Sequence, residues 1–285
     1  MQTRRRFICT SVLLAACFCS VAVSQTAKPS APVAQSPKAA PKAQTADQRI
    51  VRQGREAYYS LRADGLDEFQ ATIKPNWALV LKDQLKADPA SGQAAVKLLN
   101  GLHFSMLLDK DGKVTVTHHT DTEPANEQQR QGFAQIYSGM DQAINGFFTT
   151  WELFMLTSPF PAADSNYTLE DLGTQYRLSY KDGAADVVTM MDKNLIITDI
   201  KVNSADFISS VRPQFVHTAK GFVLTGYDAD YKPTSGSGVV KLAIKIDHQP
   251  VSGLQLPVSL VLDSVMDGAP THMELAFSEH QVKAH

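Results

Sequence analysis

Three histidines, His103, His118 and His119, lie within one predicted β-hairpin and are the residues whose spacing comes nearest to a metal site. Successive side chains of a strand point to opposite faces, so His118 and His119 cannot both ligate one ion without a bulge. His103, on the facing strand, could pair with one of them. Zinc sites use three or four ligands, and this pattern supplies two. We interpret the histidines as solvent-facing strand residues and predict no metal and no cofactor.

The segment 109–112, Asp-Lys-Asp-Gly, begins like a calcium-binding loop. The twelfth position of that loop should be a bidentate Glu and is Thr120 here. The segment therefore predicts a hairpin turn.

Two acidic pairs, Glu170/Asp171 and Asp228/Asp230, could in principle serve acid–base catalysis. Each pair lies at a predicted strand end or loop, where carboxylates are usually solvated. The chain has no Gly-x-Ser-x-Gly, Ser-x-x-Lys or His-Glu-x-x-His motif. We predict that the protein is not an enzyme and expect no catalytic residue, while a hydrolase assembled from distant residues stays an alternative.

The N-terminus predicts export. Arg4, Arg5 and Arg6 precede an uncharged apolar run over residues 8–23, and cleavage before Gln25 would leave 1–24 as a signal peptide. The arginines also fit a twin-arginine signal, so the export route stays open. Leu-Ala-Ala before Cys17 resembles a lipobox, which makes lipidation at Cys17 the alternative to simple cleavage. The run is marginal for a retained anchor.

The cysteine positions and the charge balance argue against several classes of site and partner. The three cysteines, Cys9, Cys17 and Cys19, all lie in the predicted signal, so a mature chain would have no disulfide and no thiolate site. Removing the signal leaves 24 basic against 29 acidic residues and no basic cluster, which argues against nucleic-acid binding. Residues 25–46 are rich in Pro, Ala, Ser and Gln and predict a disordered linker.

The chain that follows the linker begins with predicted helices around a strand and a hairpin. Asp47 is the predicted N-cap of a helix that ends at 64–65, and alternation of apolar residues predicts a strand over 69–73. The other predicted elements are two short helices over 77–86 and 92–100, and hairpin strands over 102–108 and 113–119.

The longest predicted helix covers residues 126–156 and carries one broad apolar stripe. The stripe packs against a core or forms one wall of an apolar ligand cavity. The candidate cavity residues are Phe133, Tyr137, Met140, Ile144, Phe147, Trp151 and Phe154.

From Tyr167 onward short strands follow one another with turn signals between them. This pattern predicts a mainly antiparallel β fold with packed helices, an α+β protein whose sheet forms a curved, incomplete barrel. We predict a single domain over residues 47–285.

The segment 251–260, Val-Ser-Gly-Leu-Gln-Leu-Pro-Val-Ser-Leu, resembles the entry into a late strand in the periplasmic lipoprotein-carrier superfamily (the LolA/LolB-type outer-membrane lipoprotein-sorting fold). The following strand over 273–282 and the helix-then-strand start at 66–73 are also similar to that family. The resemblance implies a half-barrel whose helices cover a cavity for acyl chains. Two features depart from the family: residues 77–161 carry more helix, and no position matches its functional arginine.

Together these patterns predict an exported bacterial envelope protein, in the periplasm or at the periplasmic face of the outer membrane. Its expected partner is a lipid, an acylated protein or another apolar ligand, and envelope proteins are further candidate partners. The alternative is a non-enzymatic structural or interaction protein whose core is filled.

Overall fold

The computed structural model describes residues 45–235 and 238–285. The predicted signal, Cys17 and all but the last two residues of the predicted linker lie outside the described residues.

The described chain contains five helices and twelve strands. The helices are α1 Ala46–Ala57, α2 Trp77–Val80, α3 Lys82–Ala87, α4 Pro89–Leu99 and α5 Glu127–Met155. The strands are β1 Leu66–Pro75, β2 Leu102–Leu108, β3 Val114–Thr120, β4 Tyr167–Asp171, β5 Gln175–Asp182, β6 Ala185–Asp192, β7 Ile197–Asn203, β8 Phe207–Thr218, β9 Gly221–Pro233, β10 Val240–Val251, β11 Leu254–Met266 and β12 Ala269–Ala284.

All twelve strands form one open sheet in the order β3-β2-β1-β12-β11-β10-β9-β8-β7-β6-β5-β4. Every neighbouring pair is antiparallel, and most neighbours are also consecutive in the chain. The exception is β1 beside β12, where Phe69 faces Val282 and Ile73 faces Phe277. The predicted mainly antiparallel β class is thereby confirmed.

One face of the sheet is buried because apolar residues occupy alternate positions of its strands. In β1 the side chains of Phe69, Ala71 and Ile73 are buried while Gln70 is exposed. Met273, Leu275 and Phe277 continue the buried face in β12. The core therefore lies on this side of the sheet.

Aromatic side chains of α5 contact aromatic side chains on the buried face of the sheet. Its first turn is capped by Asn126, whose side chain accepts the backbone N–H of Gln129 at 2.9 Å. The ring of Trp151 lies 6.0 Å from that of Phe69 on β1, and Phe148 and Phe277 on β12 are 6.0 Å apart. The prediction of a long helix over 126–156 is confirmed, although the helix begins at Glu127 and ends at Met155.

No helix among residues 45–235 and 238–285 has the length and apolar character needed to span a membrane.

Helix α1 differs from its prediction at both ends. Its N-cap is Thr45 rather than Asp47, because the Thr45 hydroxyl accepts the N–H of Gln48 and the Gln48 side chain accepts the N–H of Thr45. The helix stops at Ala57 rather than near residue 64, because Tyr58 turns extended and Tyr59 donates its N–H to Phe222 on β9.

The region between β1 and β2 also differs from its prediction. Residues 77–86 form two helices that break at Leu81, rather than one. Helix α4 begins at Pro89 rather than Gly92, since Asp88 caps it by accepting the N–H of Ser91 at 3.1 Å.

Candidate functional site

A cavity of about 530 Å³, broadly open to solvent, lies where α2 and α4 meet strands β11 and β12. Its helical side is formed by Trp77, Ala78, Val96 and Asn100, and its sheet side includes Leu260 and Leu275. The remaining lining residues are Lys74, Pro75, Asn76, Ser259, Val261, Glu274 and Ala276. This volume is within the range of small-molecule sites, roughly 300–1,000 Å³.

The three short helices beside the cavity are weakly anchored. Trp77 is the buried residue of α2, Gly92 that of α4, and α3 has none. Segments with few buried contacts open at low free-energy cost. The helical wall of the cavity therefore depends on few fully buried side chains.

Aromatic rings connect the cavity to α5. The ring of Trp77 lies 6.4 Å from that of Phe104 on β2, and Phe104 lies 5.8 Å from Tyr137 on α5. Tyr137 in turn lies 6.4 Å from Phe133. The predicted stripe and the cavity are thus two ends of one apolar region.

The rim of the cavity is polar. Asn76 donates its side-chain N–H to Glu274 at 2.9 Å, and its backbone N–H to the Glu274 carbonyl at the same distance. His272 lies 3.6 Å from Glu274 and 2.5 Å from Asp263. A ligand with an apolar chain and a polar head would find both kinds of partner here.

The seven residues predicted to line a cavity lie together on α5, and none of them lines the cavity described above. Six have buried side chains, and Tyr137 is half-buried against the core. The buried six are Phe133, Met140, Ile144, Phe147, Trp151 and Phe154. That these side chains form a wall of a ligand cavity stays a prediction.

Trp151 holds one polar contact inside the core. Its indole N–H donates to Nε2 of His248 on β10 at 3.2 Å, which requires a neutral imidazole. Burial lowers the pKa of His248 to about 4, although the negative charge of Asp247 acts to raise this pKa. The imidazole is therefore a structural acceptor at neutral pH.

The β2–β3 hairpin places its histidines on two faces, as predicted. His118 stacks on Tyr137 of α5 with ring centroids 3.9 Å apart. His119 faces His103 across the ladder on the other side, with rings 4.7 Å apart. Asp121, which sequence reasoning missed, lies beside them, and the His119-x-Asp121 spacing was the signal that could have shown it.

The acidic segments hold structural contacts. Asp109 accepts the N–H groups of Asp111 and Lys113 at 2.9 Å each, so the predicted hairpin turn is confirmed. Glu170 pairs with Arg177 at 3.0 Å, and Asp230 pairs with Arg212 at 2.8 Å. The neighbour of Glu170, Asp171, pairs with Lys193, whose ammonium group lowers the pKa of that carboxyl.

Sequence reasoning also missed the cavity residues on α2, α4, β11 and β12. No family model, curated protein or solved structure matches this chain.

Proposed function

We propose that this protein is an exported cell-envelope protein that binds an acyl chain or another apolar ligand. The observation that carries the proposal is the cavity between weakly anchored helices and the sheet. Its lining combines Trp77, Val96, Leu260 and Leu275 with a polar rim. Ligand sites of this kind bury an apolar body and orient it with a few polar groups.

The finer architecture belongs to the same proposal. We infer that the open sheet curves into an incomplete barrel covered by helices, with α5 as the inner wall and α2–α4 as a movable cover. The aromatic series Trp77–Phe104–Tyr137 supports this arrangement, because its ring contacts join α2 to α5 through β2.

The polar rim suggests the ligand class. Asn76 and Glu274 can donate and accept hydrogen bonds, and Lys74 adds a cation at the same rim. A lipid or an acylated protein has a polar group beside an apolar chain and fits this pattern. The predicted signal peptide supports a location in the envelope, where such molecules occur.

The proposal is tested by filling the cavity. Val96→Trp adds a bulky ring to the cavity wall on α4 and should weaken binding of a solvatochromic fatty-acid probe about tenfold, a cost of roughly 1.4 kcal/mol. Leu98→Trp is the matched control, because Leu98 lies on the same helix, is exposed and does not line the cavity. It should bind the probe like the native protein.

Two results would oppose the proposal. If the native protein does not change the fluorescence of the fatty-acid probe, the proposal of an apolar ligand site is contradicted. Equal binding by the Val96→Trp and Leu98→Trp variants would place any bound probe outside this cavity.

The alternative function is that of a structural or interaction protein with a filled core. The observation that favours it is the burial of the α5 stripe, in which Ile144, Trp151 and Phe154 have no exposed surface. It predicts no probe binding and a protein partner captured by cross-linking in intact cells.

A further inference from the structure

We propose that His103, His119 and Asp121 form a binding site for a divalent transition-metal ion. Zn²⁺ is the ion with which this proposal is tested below. The site is independent of the apolar cavity: His103 and His119 are on the β2–β3 hairpin, which contributes no lining residue to that cavity.

The hairpin brings the three side chains together. His103 and His119 are directly opposed in the antiparallel ladder, and Asp121 is two residues beyond His119 on the same face. The N–H of Asp121 donates to the carbonyl of Gly101 at 3.0 Å, which extends the pairing past the strand end. Gly101 has no side chain to fill the space beside the carboxylate, where a Cβ would lie 3.7 Å from Oδ2.

One ligand atom from each residue lies within 4.8 Å of the others. Tetrahedral zinc with bonds near 2.0–2.1 Å needs ligand atoms about 3.4 Å apart, so small side-chain rotations complete the geometry. His119 and Asp121 are exposed and His103 is partly exposed, so the core of the protein does not prevent these rotations.

The contact between His103 and Asp121 also supports a metal site. Nε2 of His103 is shielded from solvent and lacks a partner with hydrogen-bond geometry, although Oδ2 of Asp121 lies 2.8 Å away. The imidazole nitrogen and the carboxylate oxygen thus converge on one point, and widening their separation from 2.8 Å to about 3.4 Å would let both bind one ion. A metal placed at that point would satisfy both atoms.

The donor set decides the class of metal. Two imidazoles and one carboxylate suit zinc and its transition-metal neighbours, whereas Mg²⁺ and Ca²⁺ prefer oxygen ligands alone. Three protein ligands leave one position of a tetrahedral ion open for water or for a donor from another molecule.

The test is a zinc titration of the full chain in competition with a chromophoric chelator of micromolar affinity. The native protein should bind one Zn²⁺ through this cluster, and His119→Ala and Asp121→Asn should each weaken that binding by roughly tenfold or more. His118→Ala is the matched control, because His118 is on the same strand but faces Tyr137 on the opposite side. Circular dichroism and the thermal midpoint of each variant show that it is folded. Any zinc bound by cysteine thiols would be the same in the native protein and in all the variants.

A direct readout separates this cluster from any other zinc ligand in the chain. Zinc should shift or broaden the imidazole resonances of His103 and His119 in a side-chain ¹H–¹⁵N spectrum and leave those of His118 unchanged. The proposal is overturned if His119→Ala and His118→Ala bind zinc equally well, or if zinc leaves the His103 and His119 resonances in place.

Discussion

At the scale of residues, two titratable side chains beside the core, those of His248 and Glu152, have pKa values that partial burial shifts in a measurable way. His248 accepts the indole N–H of fully buried Trp151, and Glu152 is the next residue on α5. Burial lowers the pKa of His248 to about 4 and raises the pKa of Glu152 to about 6, the latter despite the nearby Arg62 cation. Relative to the unfolded chain, the fold disfavours the charged form of both groups, although a Glu152 carboxyl with a pKa of about 6 is still mostly ionised at pH 7.

The first prediction concerns His248. An unfolded histidine titrates near 6.5, so below that pH the unfolded state takes up a proton that the native state refuses. Stability from this group is therefore lost as the pH falls from about 6.5 to about 4. Between pH 7 and pH 5 the loss should be about 2 kcal/mol in the free energy of unfolding measured with urea.

The His248→Gln variant should lack this component of the pH dependence, since an amide can accept the Trp151 N–H without titrating. His217→Gln, a change at an exposed strand histidine, should keep it. Parallel pH profiles for native and His248→Gln proteins would contradict the assignment.

The second prediction concerns Glu152. Its raised pKa means that ionisation costs the folded state stability, a penalty present above about pH 6 and absent below the unfolded value of 4.5. Glu152→Gln should therefore raise the free energy of unfolding at pH 7 by about 1–2 kcal/mol, and the gain should vanish near pH 4. Glu170→Gln, at an exposed ion pair, should change it little at either pH. An unchanged or lower stability of Glu152→Gln at pH 7 would show that the Arg62 charge outweighs burial.

At the scale of elements, the β2–β3 turn is held against α5 at its glycine. Gly112 has φ +82°, and a Cβ there would collide with the Glu152 carboxylate. Arg62 donates to the carbonyl oxygens of Asp109 and Lys110 at 2.8 and 2.5 Å and fixes the same turn. The turn residues are thus specified by contacts to α5 and to the segment before β1, in addition to the local conformation.

The third prediction separates these two contributions. Gly112→Ala and Gly268→Ala both place a side chain at φ +82°, but a Cβ at position 268 meets nothing within 4 Å. Gly268→Ala should cost about 1 kcal/mol of unfolding free energy from backbone strain, and Gly112→Ala up to about 1 kcal/mol more, because the end of the flexible Glu152 side chain must turn aside. Equal losses in thermal or urea unfolding would mean that Glu152 moves aside freely.

Elements with strong local signals could be predicted from the sequence. Helix α5 follows from the cap at Asn126, the three-and-four spacing of its apolar residues and Pro159 after its end. The first half of β8 has no clear strand signal of its own, because Ser209, Ser210 and Arg212 interrupt the apolar alternation there. Its neighbours in the sheet, rather than its own pattern, make this segment a strand.

The candidate sites depend on pairings that local patterns do not contain. The cavity joins residues 74–78 to residues 259–261 and 274–276, which meet because β1 pairs with β12 across nearly the whole chain. The metal cluster needed Asp121, which lies just beyond the end of β3 and outside the predicted strand. Periodicity identifies faces within an element, but it does not say which distant elements share them.

At the scale of the whole molecule, the first strand lies beside the last, and the rest of the sheet follows chain order on either side. The β1–β12 ladder anchors the two ends of the described fold to each other, while β3 and β4 remain as the outer edges. Between β1 and β2 the chain inserts the helices that border the cavity. The proposed ligand region thus lies next to the β1–β12 ladder, which among the described strands is the pair that joins distant parts of the sequence.

Mass spectrometry of the protein purified from its native envelope is the most direct test of whether it carries an apolar ligand. Intact mass under native conditions, followed by solvent extraction, would distinguish a non-covalent ligand from a covalent lipid at Cys17. We expect a released acyl-chain molecule in the native protein that is depleted in the Val96→Trp variant and retained in Leu98→Trp. A clean polypeptide with nothing bound, in native protein and both variants alike, would contradict it and favour the interaction protein.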